Sequence, residues 1–145
     1  MIRSYTPSDY ESAIRLLKAN TPHYFHPDEE VDFRNYLAGE LDDYYVLLID
    51  QKVVGVAGLN YNHADELAVF AWAMVHPAMH GQGLGRRLVA HRLAHLAASV
   101  PHYRVQVRTS QHTYGFYEKM GFTLQNIVKD YWAPDMHLYD MILAI

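Results

Sequence analysis

The sequence predicts an α/β fold, a mixed sheet with helices on both faces, and three observations predict it. Apolar runs of strand length alternate with amphipathic helical stretches along the chain. One run, Leu67 to Val75, closes at His76-Pro77 and feeds a glycine-rich turn into the longest helical pattern. No linker, repeat or low-complexity tract breaks the alternation, so residues 1–145 read as one domain, long enough to bury its own core.

The elements follow in order. Ile2 to Tyr5 is a short strand, and Thr6-Pro7-Ser8-Asp9 supplies a cap, a first-turn proline and an acid three residues on. The helix it starts buries Tyr10, Ala13, Ile14 and Leu17. Pro27-Asp28-Glu29-Glu30 opens a second helix, with Phe33, Tyr36 and Leu37 on one face and Gly39 at its end. Tyr44 to Ile49 and Val53 to Tyr61 form a hairpin around Asp50-Gln51-Lys52. Leu67 to Val75 is the next strand, followed by a helix from Leu84 to Val100 whose buried stripe is Leu84, Leu88, Val89, Leu93, Leu96 and Val100. Tyr103 to Arg108 alternates as a strand, Thr113 to Met120 is a short helix, and Phe122–Lys129 and Leu138–Leu143 are the last strands. The order is β-α-α-β-β-β-α-β-α-β-β.

Composition narrows the function. The net charge is −4, which gives no electrostatic footprint for nucleic acid. With no cysteine there is no disulfide frame, thiolate nucleophile or cysteine zinc site. No apolar run reaches the roughly 18 residues of a membrane span, and no signal-peptide core opens the chain, so the expectation is a cytoplasmic protein without a membrane partner.

The turn His80-Gly81-Gln82-Gly83-Leu84-Gly85-Arg86-Arg87 points to chemistry. A strand that passes through glycines into a helix N-terminus presents unpaired backbone N–H groups and the positive end of the helix dipole, which together hold an anion. Glycines let a phosphate approach the backbone without a Cβ in the way. It is not a nucleoside-triphosphate loop, which would end in Gly-Lys-Ser or Gly-Lys-Thr, and Arg86 or Leu88 stands where a dinucleotide fingerprint needs its last glycine.

Val75-His76-Pro77, the His80–Gly85 turn and the downstream Phe116-Tyr117-Glu118-Lys119-Met120-Gly121-Phe122 together resemble the GCN5-related N-acetyltransferase superfamily, over nearly the whole chain. That family's turn reads Arg/Gln-x-x-Gly-x-Gly/Ala, and His80 departs from it at the first position. The resemblance implies a central, mostly antiparallel mixed sheet and acetyl-coenzyme A as co-substrate, with no metal. It places the pyrophosphate on the N–H groups of Gly81, Gln82, Gly83, Leu84, Gly85 and Arg86, with the His80 side chain at the first motif position and Arg86 also a rim cation. The pantetheine arm would pair with Ala73, Met74 and Val75, provided this strand splays from its neighbour. Arg87 is either a second rim cation or part of a solvated helix face.

Acetyl transfer to an amine needs a neutral nucleophile, a stabilised oxyanion and a proton for the leaving thiolate. Tyr117 matches the family's general acid, since a phenol with a pKa of about 10 is protonated at neutral pH; the alternative is that it only packs between helix and sheet. The oxyanion donor would be the N–H of Val75 or its neighbour. Either Ser110 or Gln111 occupies the place of a family asparagine, with Gln111 favoured as the side-chain contact and a helix-capping role for the pair as the alternative. For the general base, the mid-strand glutamate of many members falls on Val69 here, which leaves Glu66 at the strand's start, with His63, Asp65, His76 or relayed water as alternatives.

His91 and His95 share a helix face, but Arg92 stands where the zinc-protease pattern needs glutamate, so no metal site is expected. Two aromatic stretches read as loops, Pro22–Pro27 and Tyr131–His137, and are candidates for the acceptor pocket or for closing the core. The expected partner is a small-molecule amine taken by a monomer or homodimer. Peptide N-termini or lysines as acceptors, and a non-catalytic coenzyme A sensor, are the alternatives.

Overall fold

The structure is a computed structural model describing residues 1–143. The strands are β1 (Ile2–Ser4), β2 (Asp43–Ile49), β3 (Lys52–Asn62), β4 (Leu67–Val75), β5 (Arg104–Thr109), β6 (Phe122–Ala133) and β7 (Met136–Leu143). They form one sheet in the order β1-β2-β3-β4-β5-β7-β6, in which β4 and β5 run parallel and the other neighbours antiparallel. The helices are α1 (Tyr10–Ala19), α2 (Glu29–Asn35), α3 (Leu84–Ser99) and α4 (Tyr114–Lys119). The element order and the mixed sheet agree with the expectation.

Side-chain alternation divides the core. Tyr44 and Val46 of β2 face α1 and α2, where they meet Ala13, Leu17, Phe33 and Tyr36; Tyr45 and Leu47 face the α3 side. On that second face Leu84, Leu88, Val89 and Leu96 of α3 cover Ala57, Leu59, Phe70 and Val107. Each fully buried aliphatic or aromatic side chain contributes about 1.5–3 kcal/mol, so both faces are needed. At the entry to α1 the Asp9 carboxylate accepts from the Thr6 N–H (2.9 Å) and from both Arg3 terminal nitrogens (2.8 and 2.9 Å), which holds its pKa below the usual carboxylate value.

Three elements depart from expectation. After Asn35 the second helix widens into a π turn, Tyr36–Glu40, and passes Gly39. β6 runs on to Ala133 and β7 begins at Met136, so most of Tyr131–His137 is hairpin and not loop. Within the α3 stripe Arg92 is also buried, whereas Leu93 and Val100 are only half-buried. No helix among the described residues is long and apolar enough to cross a membrane.

Candidate active site

β4 and β5 pair from Leu67↔Arg104 to Phe70↔Val107 and then part. Each is still held on its other side, β4 by β3 as far as Gly55↔Val75 and β5 by β7 as far as Thr109↔Tyr139. A register shift between Val56 and Gly58 bulges β4 at this point, and Trp72 adopts a φ of 42°. A bulge bends its strand and increases the local twist, which turns the end of β4 from its parallel neighbour. The gap is the mouth of a cleft of about 860 Å³, within the range of small-molecule sites. Ala73, Met74 and Val75 line it with backbone that β5 does not pair.

The glycine turn closes one end. Gly81 and Gly83 have φ of 80° and 78°, and a Cβ at either would meet nothing within 4 Å, so the chain turns there with its surface open. The first helical bond of α3 is from the Arg87 N–H to the Gly83 carbonyl (3.1 Å), which leaves the N–H groups of Leu84, Gly85 and Arg86 ahead of it without helical partners. Gly85 is bare for another reason: a Cβ would come within 3.2 Å of the Phe116 ring of α4. His80, Gly81, Gly83, Leu84, Gly85 and Arg86 line the cleft, whereas Gln82 is exposed outside it. Arg87 is exposed and outside the cleft too. The His80 ring bonds the Val75 carbonyl through Nε2 (2.9 Å) and lies edge-on to Tyr24 at 5.4 Å. On the same carbonyl converges Nδ2 of the buried Asn20 (3.2 Å), which also caps the Leu16 carbonyl at the end of α1 (2.8 Å).

Tyr117 projects from α4 against the floor of the cleft, 8% exposed, with its ring among Phe70, Phe116 and Phe122. Burial raises its pKa, and the neighbouring guanidinium of Arg92 opposes that rise by charge and hydrogen bonding. Arg92, 1% exposed, lies with Cζ 3.7 Å from the Phe70 ring centre and also lines the cleft.

Besides Gln82, two expected site residues stand elsewhere. Glu66 is not in the cleft: it precedes the far end of β4 from the glycine turn, exposed, with Oε2 2.7 Å from His102 Nε2. Counting along the strand identified its neighbourhood in sequence, but the cleft opens only after Phe70. The alternatives His63, Asp65 and His76 do not line the cleft either. Gln111 has its side-chain amide committed to the β6–β7 hairpin, donating to the Asp135 carbonyl and accepting from the His137 N–H (3.0 Å). Ser110 is buried on the cleft wall, and its hydroxyl accepts from the His112 N–H (3.2 Å).

The cleft brings in a carboxylate that the sequence did not single out as functional. Glu29, at the start of α2 and 9% exposed, is the one acidic side chain lining the cleft among the described residues. Its Oε2 accepts from the His26 N–H (2.7 Å), and burial raises its pKa. Close by, Phe25 stacks on Trp72 at 5.9 Å and Phe33 packs tilted against the same indole at 4.9 Å. Both aromatic stretches therefore reach one cavity, through Tyr24 and Phe25 from the first and Trp132 and Met136 from the second.

His91 and His95 serve packing and pairing: His91 lies edge-on to Tyr45, and His95 Nε2 is 3.3 Å from Asp43. Potential metal-ligating atoms of Asp130, Asp135 and His137 converge within 4.8 Å at the hairpin, but Asp130 Oδ1 already accepts from the Asp135 N–H and His137 Nδ1 from the Asp130 N–H.

Residues 40–124, more than half of the chain, match the model of an acetyltransferase (GNAT) domain, a span that includes the splayed strands, the glycine turn and Tyr117. No curated protein matches the sequence. Among solved structures, a protein assigned to the GNAT acetyltransferases from Desulfovibrio desulfuricans superposes with a TM-score of 0.82 at 20% identity, covering 99% of this chain and 97% of that one. The ribosomal-protein-S18-alanine N-acetyltransferase of Escherichia coli gives 0.81 at 19% identity, covering 99% and 92%. An aminoglycoside 6'-N-acetyltransferase complexed with coenzyme A gives 0.78 at 15% identity, covering 98% and 95%. At such identities the structures show a shared fold, and the domain match supplies the family. The chain belongs to the GNAT family and is an N-acetyltransferase.

Proposed function

We propose that this enzyme transfers the acetyl group of acetyl-coenzyme A to a small, cationic primary amine. The observation that carries the reading is the parting of β4 and β5 after Phe70 and Val107, directly beside the glycine turn. Pyrophosphate would rest on the turn's N–H groups, and the amide arm would take the edge of β4 that β5 leaves free. The structure of the aminoglycoside enzyme with coenzyme A supports that choice of donor.

The acceptor enters from the α2 side. Glu29 supplies a carboxylate for an ammonium, and Phe25 and Trp72 supply faces that attract a cation. With its pKa raised by burial, Glu29 is also better matched to accept the ammonium proton than an ordinary surface carboxylate. The free amine then attacks the thioester carbon, the carbon–sulfur bond breaks, the sulfur takes the Tyr117 proton, and the nitrogen gives up its surplus proton to solvent.

The experiment is release of coenzyme A thiol from acetyl-coenzyme A with a panel of small amines, amino acids and peptides, with thermal shifts by coenzyme A alongside. Turnover with cationic small amines is expected. Efficient acetylation of only peptide N-termini would overturn the small-molecule reading. Tight binding with no turnover would point to a coenzyme A sensor.

A further inference from the structure

Arg92 carries a buried charge with no acidic partner among the described residues. Its Nε donates to the Leu88 carbonyl (3.1 Å) and its Nη1 to the Gly58 carbonyl (3.2 Å), and its guanidinium stacks on Phe70. These partners are neutral, and none of the ion pairs among the described residues includes Arg92. Burying an unpaired ion costs several kcal/mol, whereas a long apolar side chain would fill the same space without that cost. A buried cation at a reaction cleft suits a site where negative charge forms only during reaction.

Tyr117 of α4 shares the Phe70 ring and the cleft wall with the guanidinium, and the charge of Arg92 is also felt by Tyr44 of β2 and Tyr36 of the π turn. Tyr44 donates to the Trp72 carbonyl (2.7 Å) and Tyr36 to the Asn60 side chain (2.8 Å), so both protons are committed inside the fold. Tyr117 alone of the three lines the cleft, where its hydroxyl can meet a substrate. Phe70 fixes the pair from β4, with Arg92 over its face and the Tyr117 ring edge-on at 6.5 Å.

We infer that Arg92 is a positioning residue for the leaving-group proton: it orients the Tyr117 hydroxyl and stabilises the phenolate left when that proton moves to sulfur. The inference rests on Tyr117 being the general acid. As the new nitrogen–carbon bond forms, the electron pair of the breaking carbon–sulfur bond goes to sulfur. Sulfur takes the Tyr117 proton, the nitrogen releases its surplus proton to solvent, and the phenolate beside Arg92 regains one from solvent. Arg92 thus acts through Tyr117 and needs no contact with either substrate.

A double-mutant cycle tests this, with Arg92→Met, Tyr117→Phe and the combined variant, read as thiol release from acetyl-coenzyme A with spermidine and, in parallel, with water alone as acceptor. Arg92→Met is expected to lower kcat about 10- to 10²-fold with little change in KM for acetyl-coenzyme A, and to cost under about 3-fold in the Tyr117→Phe background. The alkaline limb of kcat should also move to higher pH, because the cation that favours the phenolate is gone. Arg92→Lys keeps a charge and should recover most of the lost rate; Arg92→Gln, which also removes the charge, replaces Arg92→Met in the cycle if the latter does not fold. An equal loss in both backgrounds, no loss in either, or a lysine variant no better than methionine would overturn the inference. Loss of rate in Tyr117→Phe with none in Arg92→Met rejects Arg92 alone; full rate in Tyr117→Phe rejects the acid itself, and the inference with it.

Discussion

Phe70 and Val107 form the last backbone pair between β4 and β5. Both side chains are buried on the α3 face of the sheet, so the point of divergence is anchored in the core. The cleft beyond it is consequently preformed: its walls are strands that β3 and β7 hold from outside.

Gly83→Val should abolish stabilisation by coenzyme A. At a hundredfold excess over Kd the wild type should gain about 2.7 kcal/mol. Valine at a φ of 78° is strained, and its branches project where the turn is now open. Thermal denaturation with and without coenzyme A measures both effects; an undiminished shift would move the donor site elsewhere.

Tyr117→Phe removes the proton and keeps the ring packed among its three phenylalanine neighbours. The rate should fall about 10²- to 10⁴-fold with acetyl-coenzyme A affinity little changed. Steady-state kinetics under chemistry-limited conditions decide it, and an unchanged kcat would leave Tyr117 a packing residue.

Glu29→Gln retains an oxygen for the His26 N–H but loses the charge. KM for a cationic amine should rise about tenfold or more, with coenzyme A binding unchanged. Burial raises the folded pKa of Glu29 above the unfolded one, so its ionisation costs stability as pH climbs through that interval. The glutamine variant should therefore melt no lower than wild type at neutral pH, which differential scanning calorimetry reads directly.

Asp9 has the opposite sign. Its folded pKa lies below the unfolded value of 3.8, so its contribution is whole above that value and drains away as pH falls through the folded pKa. Asp9→Asn should destabilise at pH 7, with the two melting curves converging in acid. A constant gap between wild type and variant down the pH series would remove the Arg3–Asp9 pair as its cause.

Gly58→Ala tests the bulge. The added methyl would lie 2.5 Å from the Tyr44 ring and 2.7 Å from the Tyr36 hydroxyl, both buried. A cost of about 1–3 kcal/mol is expected in chemical denaturation.

Strand alternation in Tyr44 to Leu47 and the glycine turn before Leu84 were legible from sequence because they are local patterns. The parting of β4 from β5 was not, since it depends on a bulge between the Gly58↔Ala71 and Val56↔Met74 pairs and on the partners of both strands. Glu66 was misplaced for the same reason: sequence distance along β4 says nothing of where the strand leaves its neighbour. Glu29 read as a helix-starting acid, and only the packing of α2 over Trp72 turns it into a cleft residue. Arg92 carried a signal that its charge hid. It continues the four-residue spacing of Leu84, Leu88 and Leu96, which places it on the buried side of α3. Tyr131 to His137 misled because Pro134 and a cluster of aromatics resemble loop composition, although the chain there turns tightly between two long strands.

Asn20 joins the end of α1 to the end of β4 through a single amide. The segment carrying Tyr24, Phe25 and Glu29 thus leaves from a point pinned to Val75, the last residue of the strand beside the glycine turn. The two sides of the cleft share one mechanical anchor. Displacing the strand end would drag the root of the aromatic segment with it, so the spacing between the two halves is a built-in ruler for how far apart two occupants can sit.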